Sequence, residues 1–375
     1  MKSSFKTFIA KVLLKIKNSL LSIIQKGSFK QINRDKINKI LIFKNGGVGD
    51  IIATYPAINN IRNKFKSAEI HLLTSSGSSK KNTSSILLNQ MKVDKIIDLD
   101  IENFNWSKKI ELFRQLKKSN YDLIIILTDS LSNFKRELRN ILFLNLCSRK
   151  YVFGSKLNRP GLFDLDYAKQ DNYPFINEYE RNVLNVEPIT FTRKIDLTYN
   201  FNVQNKNKFK IGGNHRKNIT IAIGAKRRNK IWDYENFLKL TRKLIDDGFN
   251  IFFIGGNSEK KTCDTIINNI DLNHRNRCEN FCGTANFNDS IYIISLSEFL
   301  ISNDSGAAHL SSFTDTKCIT IQSSCDFEGL WYPIKSKKYV IRSNKNCLKG
   351  HLCNKNYFCG QDITVDMVYQ KIIKS

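Results

Sequence analysis

No run of about eighteen or more apolar residues occurs in the 375-residue chain, which excludes a transmembrane helix of ordinary length. No acidic residue precedes Asp35. Nine cysteines are too sparse for a secreted disulfide scaffold; Cys147, Cys263 and Cys318 read as isolated core residues in a reducing cytosol. Zinc-finger, RNP-type aromatic and helix-turn-helix patterns are lacking, so nucleic acid is not the expected partner. Nor is the composition that of a disordered chain: 41% hydrophobic and 11% aromatic residues suffice for packed cores. The length exceeds what one core usually holds, and two domains are expected.

What the chain has in excess is positive charge, +26 formally. That suggests an anionic membrane or phosphorylated substrates, with drift toward lysine and asparagine as the bland alternative. Seven lysines fall in the first 30 residues. There Phe5, Phe8, Ile9, Val12, Leu13, Ile16, Leu20 and Ile23 recur at steps of three and four, the spacing of an amphipathic helix. Lys11, Lys15 and Lys17 interrupt the apolar run, unlike a signal peptide. Residues 1–38 therefore read as a basic segment whose helix lies in a membrane interface, or packs on the protein's own surface.

From residue 39 short apolar runs alternate with helix-like ones. "KILIFK", "EIHLLTSS", "KIIDLD", "YDLIIILTD" and "KYVFGS" read as strands, and 50–66, 84–91, 107–119 and 132–146 as helices. Such alternation means a parallel sheet covered on both faces. The polar stretch 196–218, rich in Asn, Lys and Gly, breaks the rhythm and reads as a linker. The pattern restarts with strands at "ITIAIGA", "NIFFIGG", "FLISND" and "KCITIQ", and helices at 234–247, 258–270, 287–297, 306–314 and 363–374. The expected fold class is α/β: two Rossmann-like, doubly wound parallel-sheet domains, 39–195 and 219–375, with a cleft between them. Ligands of such sheets bind beyond the carboxyl ends of strands. The region 151–195 is the least readable, and its "NEYERN" at 177–182 is a stretch that would reach an acceptor.

The turn after the first strand, "GGVGD", lacks the GK[ST] end of a P-loop and the spacing of G-x-G-x-x-G. A helix N-terminus welcomes an anion, and here the chain supplies its own in Asp50. Gly46, Gly47 and Gly49 allow close backbone approach, so the turn either brings a carboxylate to a substrate or simply caps its helix. Three further segments follow predicted strands in the second half: "GAKRRNKIWDYENF", "IGGNSEKK" and "SNDSGAAHL".

Together these four resemble the heptosyltransferase family, glycosyltransferase family 9, with its GT-B fold. The matching positions are Gly46–Asp50 with Pro56, Lys230-Ile231-Trp232, Gly255-Gly256 with Glu259, and Asp304-Ser305-Gly306 with His309. The segment "NFCGTANFNDSIYII" is similar to another stretch of that family. The resemblance covers about 39–375. It departs at "AKRRN", where Lys226 and Arg227 replace small hydroxyls, and at Gln322-Ser323-Ser324, where a Gly-rich turn is usual. These departures leave the donor open.

The resemblance implies inverting sugar transfer from ADP-heptose to a lipid-anchored saccharide such as a lipopolysaccharide core. Asp50 would be the base that takes the acceptor hydroxyl proton, and its place at a helix N-terminus favours the ionised form. Lys230 would meet the leaving diphosphate, with Lys226 adding charge on the donor side. Backbone N–H groups of Ser305, Gly306 and Ala307 would form a second anion site. Asp304 would orient that turn or contact the sugar, and Glu259 would bind ribose hydroxyls or be an ordinary first-turn acid. Gly255 belongs to the donor side. His309 is either a donor-side group or a satisfied helix-face histidine, and Trp232 is expected to pack rather than stack. The glycines of the first turn are placed on the acceptor side.

No metal or cofactor is expected. The "DLD" triplets at 98–100 and 164–166 are common by chance, and the GT-B mode uses lysine and helix dipoles instead. Cys347, Cys353 and Cys359 are separated by five residues each, outside the C-x₂₋₄-C spacing that zinc prefers, so a loop held by packing is expected. The favoured reading is a cytoplasmic enzyme, peripheral on the inner face of a membrane. A second is the same fold with another nucleotide or hexose donor. A third is a non-catalytic basic module binding membranes or polyanions, which leaves the ordered motifs unexplained.

Overall fold

The computed structural model describes residues 2–25, 36–75, 91–99, 105–128, 132–157, 176–200, 218–345, 347, 353 and 355–375, with side chains from residue 11 onward. The chain divides into two units, Met1–Leu197 and Thr198–Ser375. The boundary falls within the expected linker, of which 201–217 lie outside the described residues, as do 84–90 of the helix expected at 84–91 and the second "DLD".

The first unit begins with helix α1, Lys2–Ile24. Strands β1 (Lys39–Asn45), β2 (Glu69–Ser75), β3 (Lys95–Asp98), β4 (Leu123–Ile126) and β5 (Tyr151–Phe153) form a parallel sheet in the order β3-β2-β1-β4-β5. Helices α2 (Val48–Lys64), α3 (Trp106–Lys118), α4 (Phe134–Cys147) and α5 (Glu178–Thr190) complete it. Every residue of β4, Leu-Ile-Ile-Ile, is buried, the mark of a strand covered on both faces.

The N-terminal helix packs on this unit. Leu21 is fully buried, Leu14 and Ile24 rest against the core, and the Asn18 amide both donates to Leu157 O (3.1 Å) and accepts from Leu157 N (2.8 Å). Its other side leaves Val12, Ile16, Leu20 and Ile23 exposed, Ile23 at 78%. Own-surface packing thus accounts for one face and leaves an apolar stripe on the other.

The second unit holds β6 (Asn218–Ala222), β7 (Asn250–Phe253), β8 (Cys278–Asn280), β9 (Phe299–Asn303), β10 (Lys317–Gln322) and β11 (Val340–Arg342). Their order, β8-β7-β6-β9-β10-β11, is 3-2-1-4-5-6 in local numbering, the dinucleotide-fold order. The helices are α6 (Tyr234–Asp246), α7 (Asn257–Asn268), α8 (Phe287–Ser295), α9 (Gly306–Leu310) and α10 (Val365–Ile373). Along α6 the buried residues Phe237, Leu240, Leu244 and Ile245 recur at helical spacing, so one face enters the core. Leu244→Ala there should cost roughly 2–5 kcal/mol.

The chain's many asparagines cap helices. Asn105 accepts from Lys108 N (3.0 Å), Asn133 from Arg136 N (2.9 Å) and Asn286 from Asp289 N (3.0 Å). Each such cap contributes about 1 kcal/mol.

Among the described strands and α-helices, three escaped the sequence pattern. Strands β8 and β11 have three residues each, too few to show a period. Helix α5 buries Glu178, Arg181, Asn182 and Asn185, so it carries no continuous apolar stripe. The helix expected at 306–314 is shorter: α9 ends at Leu310 and a 3₁₀ turn covers Ser311–Phe313.

Candidate active site

In the second unit the strand order reverses between β6 and β9, the switch point at whose carboxyl ends ligands bind in such folds. Lys230 lies on the turn after β6 and Asp304 directly follows β9. The Lys230 Nζ donates to Asp304 Oδ2 at 2.9 Å and also ion-pairs with Asp326. Arg227 Nη2 donates to Asp326 Oδ1 at 2.9 Å. Both carboxylates are buried.

Burial sets the acids apart. It pushes Asp304 up to about 6, with Lys230 pulling down and Asp326 pushing further up. Burial also works against ionised Asp326, yet Lys230, the hydrogen bond with Asp304 and Arg227 hold it well below the usual carboxylate range. Lys230 is held above its ordinary value, burial being outweighed by the two acids. Asp326 is thus favoured in its ionised form, and Asp304 is the acid of the pair that takes up a proton more readily.

Asn303 fixes the frame around this trio. Its Nδ2 donates to Ile223 O (2.6 Å) and its Oδ1 accepts from Trp232 N (3.0 Å), tying the end of β9 to the strand-end and turn that carry Lys230. Trp232 is 1% exposed, lies edge-on to Phe237 and donates Nε1–H to Ile363 O (3.1 Å); it packs, as expected.

Two β-to-α turns, one in each unit, share one design. Gly47 is the N-cap of α2, and its N–H donates to Asp50 Oδ2 at 2.8 Å. Gly256 is the N-cap of α7, and its N–H donates to Glu259 Oε2 at 2.8 Å. In both, an acid at the third helical position folds back on its glycine, the reciprocal half of a capping box. Gly46 has φ +148°, and a Cβ there would lie 2.3 Å from Asp50 Cβ. The glycine is therefore demanded by the acid's position. Asp50 and Glu259 are both half-buried caps. Glu259 also accepts from Ser258 Oγ at 2.7 Å, which is the ordinary first-turn reading of that acid.

Behind the first turn lies a buried charge network. Lys44 at the end of β1 donates to Glu178 Oε1 (3.1 Å), both side chains being fully buried. Arg181 Nε donates to Glu178 Oε2 (2.7 Å), and its Nη2 reaches Thr128 O. Asn182 Nδ2 donates to Glu178 O (2.8 Å) and to Ala53 O (3.3 Å) in α2. Glu178, Arg181 and Asn182 of the "NEYERN" stretch are thus turned into this buried network.

Other expected site residues fall out as follows. Lys226 is exposed. Ser305 is the N-cap of α9, and Ser305, Gly306 and Ala307 are half-buried on a helix of only five residues. His309 is buried, its ring edge-on to Trp331 at 6.1 Å. Gly255 abuts Cys282 and Glu259, and Gly49 sits within the first turn of α2. Asp326 and Asn303 were missed. Asp326 stands two residues beyond the Gln322-Ser323-Ser324 departure, and an acid four residues after a strand end is no pattern by itself.

Two parallel-sheet α/β units in series are the architecture of the GT-B fold. Residues 181–356 match the family model of glycosyltransferase family 9 (heptosyltransferase). The lipooligosaccharide heptosyltransferase 2 of Haemophilus influenzae is 23% identical over 324 residues, 81% of this chain and 88% of that one. The lipopolysaccharide heptosyltransferase 2 of Escherichia coli K12 is 24% identical over 115 residues, covering 30% of this chain and 32% of that protein. Among solved structures, the family 9 glycosyl transferase from Veillonella parvula superposes with a TM-score of 0.68 at 16% identity, over 90% of this chain and 98% of that one. The E. coli heptosyltransferase WaaC with ADP gives a TM-score of 0.62 at 16% identity, over 90% and 99%. These structural likenesses support the fold.

Proposed function

We propose that the protein transfers a sugar, heptose favoured, from a nucleotide diphosphate donor such as ADP-heptose to a lipid-anchored saccharide such as a lipopolysaccharide core, with inversion. The observation that carries this reading is Lys230 held between Asp304 and Asp326 at the β6/β9 switch point, inside the span that matches the family. In the proposed reaction the acceptor hydroxyl gives its proton to Asp50 while its oxygen forms the new bond at the anomeric carbon. The bond from that carbon to the diphosphate breaks, and the electron pair leaves with the diphosphate. Lys230 is proposed to meet that charge, and Asp304, poised near 6, to take up a proton as the anion arrives. Lys226, Glu259 and the turn at Ser305, Gly306 and Ala307 are the proposed remainder of the donor side. Lysine and backbone amides are proposed in the role that a divalent cation plays in metal-dependent sugar transferases.

The exposed stripe Val12, Ile16, Leu20 and Ile23, beside exposed Lys11 and Lys15, supports a peripheral position on the inner, cytoplasmic face of an anionic membrane. One observation favours the second reading, a different donor: Arg227 of the "AKRRN" turn is committed to Asp326, a charge pair where the family has small hydroxyls. The test is ligand-induced thermal stabilisation across ADP-, GDP-, UDP- and CMP-sugars. A ligand at 100 times its dissociation constant adds about 2.7 kcal/mol. A shift with ADP and ADP-heptose alone supports the first reading. A shift with another nucleotide supports the second, and no shift at all overturns both.

A further inference from the structure

Cys325 follows β10, and Cys347, Cys353 and Cys359 follow β11. These four converge, although the first lies 22 residues from the nearest of the others. All are buried, and all nine cysteines of the chain are free thiols. The four Sγ atoms lie within 4.8 Å of one another, with Cys325–Cys347 at 3.6 Å and Cys353–Cys359 at 3.7 Å. Four sulfurs at the corners of a tetrahedron with metal–sulfur bonds of about 2.3 Å stand about 3.8 Å apart. The observed separations match that edge. Four thiols gathered only as small hydrophobes have no reason to point their sulfurs at a common centre.

We propose that Cys325, Cys347, Cys353 and Cys359 form a tetrahedral four-thiolate site for one structural metal ion, zinc or iron. Soft sulfur ligands in tetrahedral array select these metals. The surroundings supply the outer contacts such sites use. Asn229 Nδ2 donates to Cys325 Sγ at 3.6 Å and to Cys353 O at 2.5 Å. Cys359 N donates to Asn229 O at 3.1 Å, and Ser324 N and Oγ donate to Cys359 O at 2.9 and 3.0 Å.

The ion's role follows from the chain neighbours. Asn229 precedes Lys230, and Cys325 precedes Asp326. The metal ties together the two loops that carry the lysine and the buried acid it pairs with. The four cysteines are positioning residues, and the site stands whether or not the donor reading holds. It departs from the absence of metal expected from sequence, because five-residue spacing hid three ligands and the fourth lay on a separate loop.

The test is metal content of the full, untagged chain purified under reducing conditions, followed by cobalt substitution. About one equivalent of zinc or iron per chain, and the visible bands of a tetrahedral cobalt–thiolate complex, are expected. Cys353→Ser should lose the equivalent and the bands and lower the melting temperature, while the control Cys147→Ser keeps the metal. Because Cys353→Ser can fail to fold, the wild-type stoichiometry decides. No metal after reconstitution with zinc, or Cys325–Cys347 and Cys353–Cys359 disulfides found by mass spectrometry in place of the ion, would overturn the proposal.

Discussion

Replacing Lys230 with methionine keeps the bulk of the side chain and deletes its charge. Asp304 and Asp326 are then left side by side in a buried place, with Arg227 still on Asp326 and nothing described to replace the lysine on Asp304. Removing one partner of a buried pair costs about 3–5 kcal/mol, because the orphaned charge keeps its desolvation penalty. For a unit of this size each kcal/mol moves the melting point by roughly 2–4 °C, so a fall of roughly 6–20 °C is expected at pH 7.5. The sign of the pH effect is fixed by Asp304. Its folded value is raised to about 6, so its proton is retained below that pH and the buried negative charge disappears. Without Lys230 that value rises further. The penalty of Lys230→Met should therefore shrink as pH falls from 7.5 to 5. Lys230→Met combined with Asp304→Asn should recover most of the loss at pH 7.5. Scanning calorimetry of the wild type, Lys230→Met and the double variant at both pH values measures this. An equal fall at both pH values, or no rescue by Asp304→Asn, would show that the lysine is not neutralising that acid.

Three further outcomes are expected. Asp50→Asn keeps an oxygen to cap Gly47, whereas Asp50→Ala loses the cap and about 1 kcal/mol; both should abolish sugar transfer while nucleotide binding persists, and an active Asp50→Asn would reduce Asp50 to a cap. Gly46→Ala places a Cβ 2.3 Å from Asp50 Cβ at φ +148°; it should destabilise by roughly 1–3 kcal/mol and depress kcat more than nucleotide affinity, as measured by melting and steady-state kinetics. Ile16→Glu with Ile23→Glu should release the protein from anionic vesicles in a sedimentation assay with an unchanged melting point, since both side chains are exposed. Deleting the whole helix is the poorer test, because Leu21 and Asn18 belong to the first unit's packing.

The fold was legible wherever burial imposes a period. Strand β4 is a continuous apolar run and β9 opens on Phe-Leu-Ile because helices cover both sheet faces, and α6 shows its buried face at steps of three and four. What stayed hidden was held by polar chemistry. Helix α5 buries charge, and its logic lies in Lys44, 134 residues from Glu178. The site was half legible. Lys230 and Asp304 sit in turns whose residue types announced them, whereas Asp326 and Asn303 act through side-chain contacts that span 71 to 99 positions. The cysteines show the same limit: three were visible as a spaced set, and the convergence with Cys325 is a fact of tertiary structure.

The salt link between β1 and α5 also bears on how the chain is made. Lys44 leaves the ribosome early and belongs to a central strand, but the carboxylate that neutralises it is synthesised more than a hundred residues later. Until then the nascent sheet must keep that ammonium in water or leave its edge loosely closed. A chain arrested before Glu178 emerges therefore lacks the carboxylate beside which Lys44 is buried in the finished first unit.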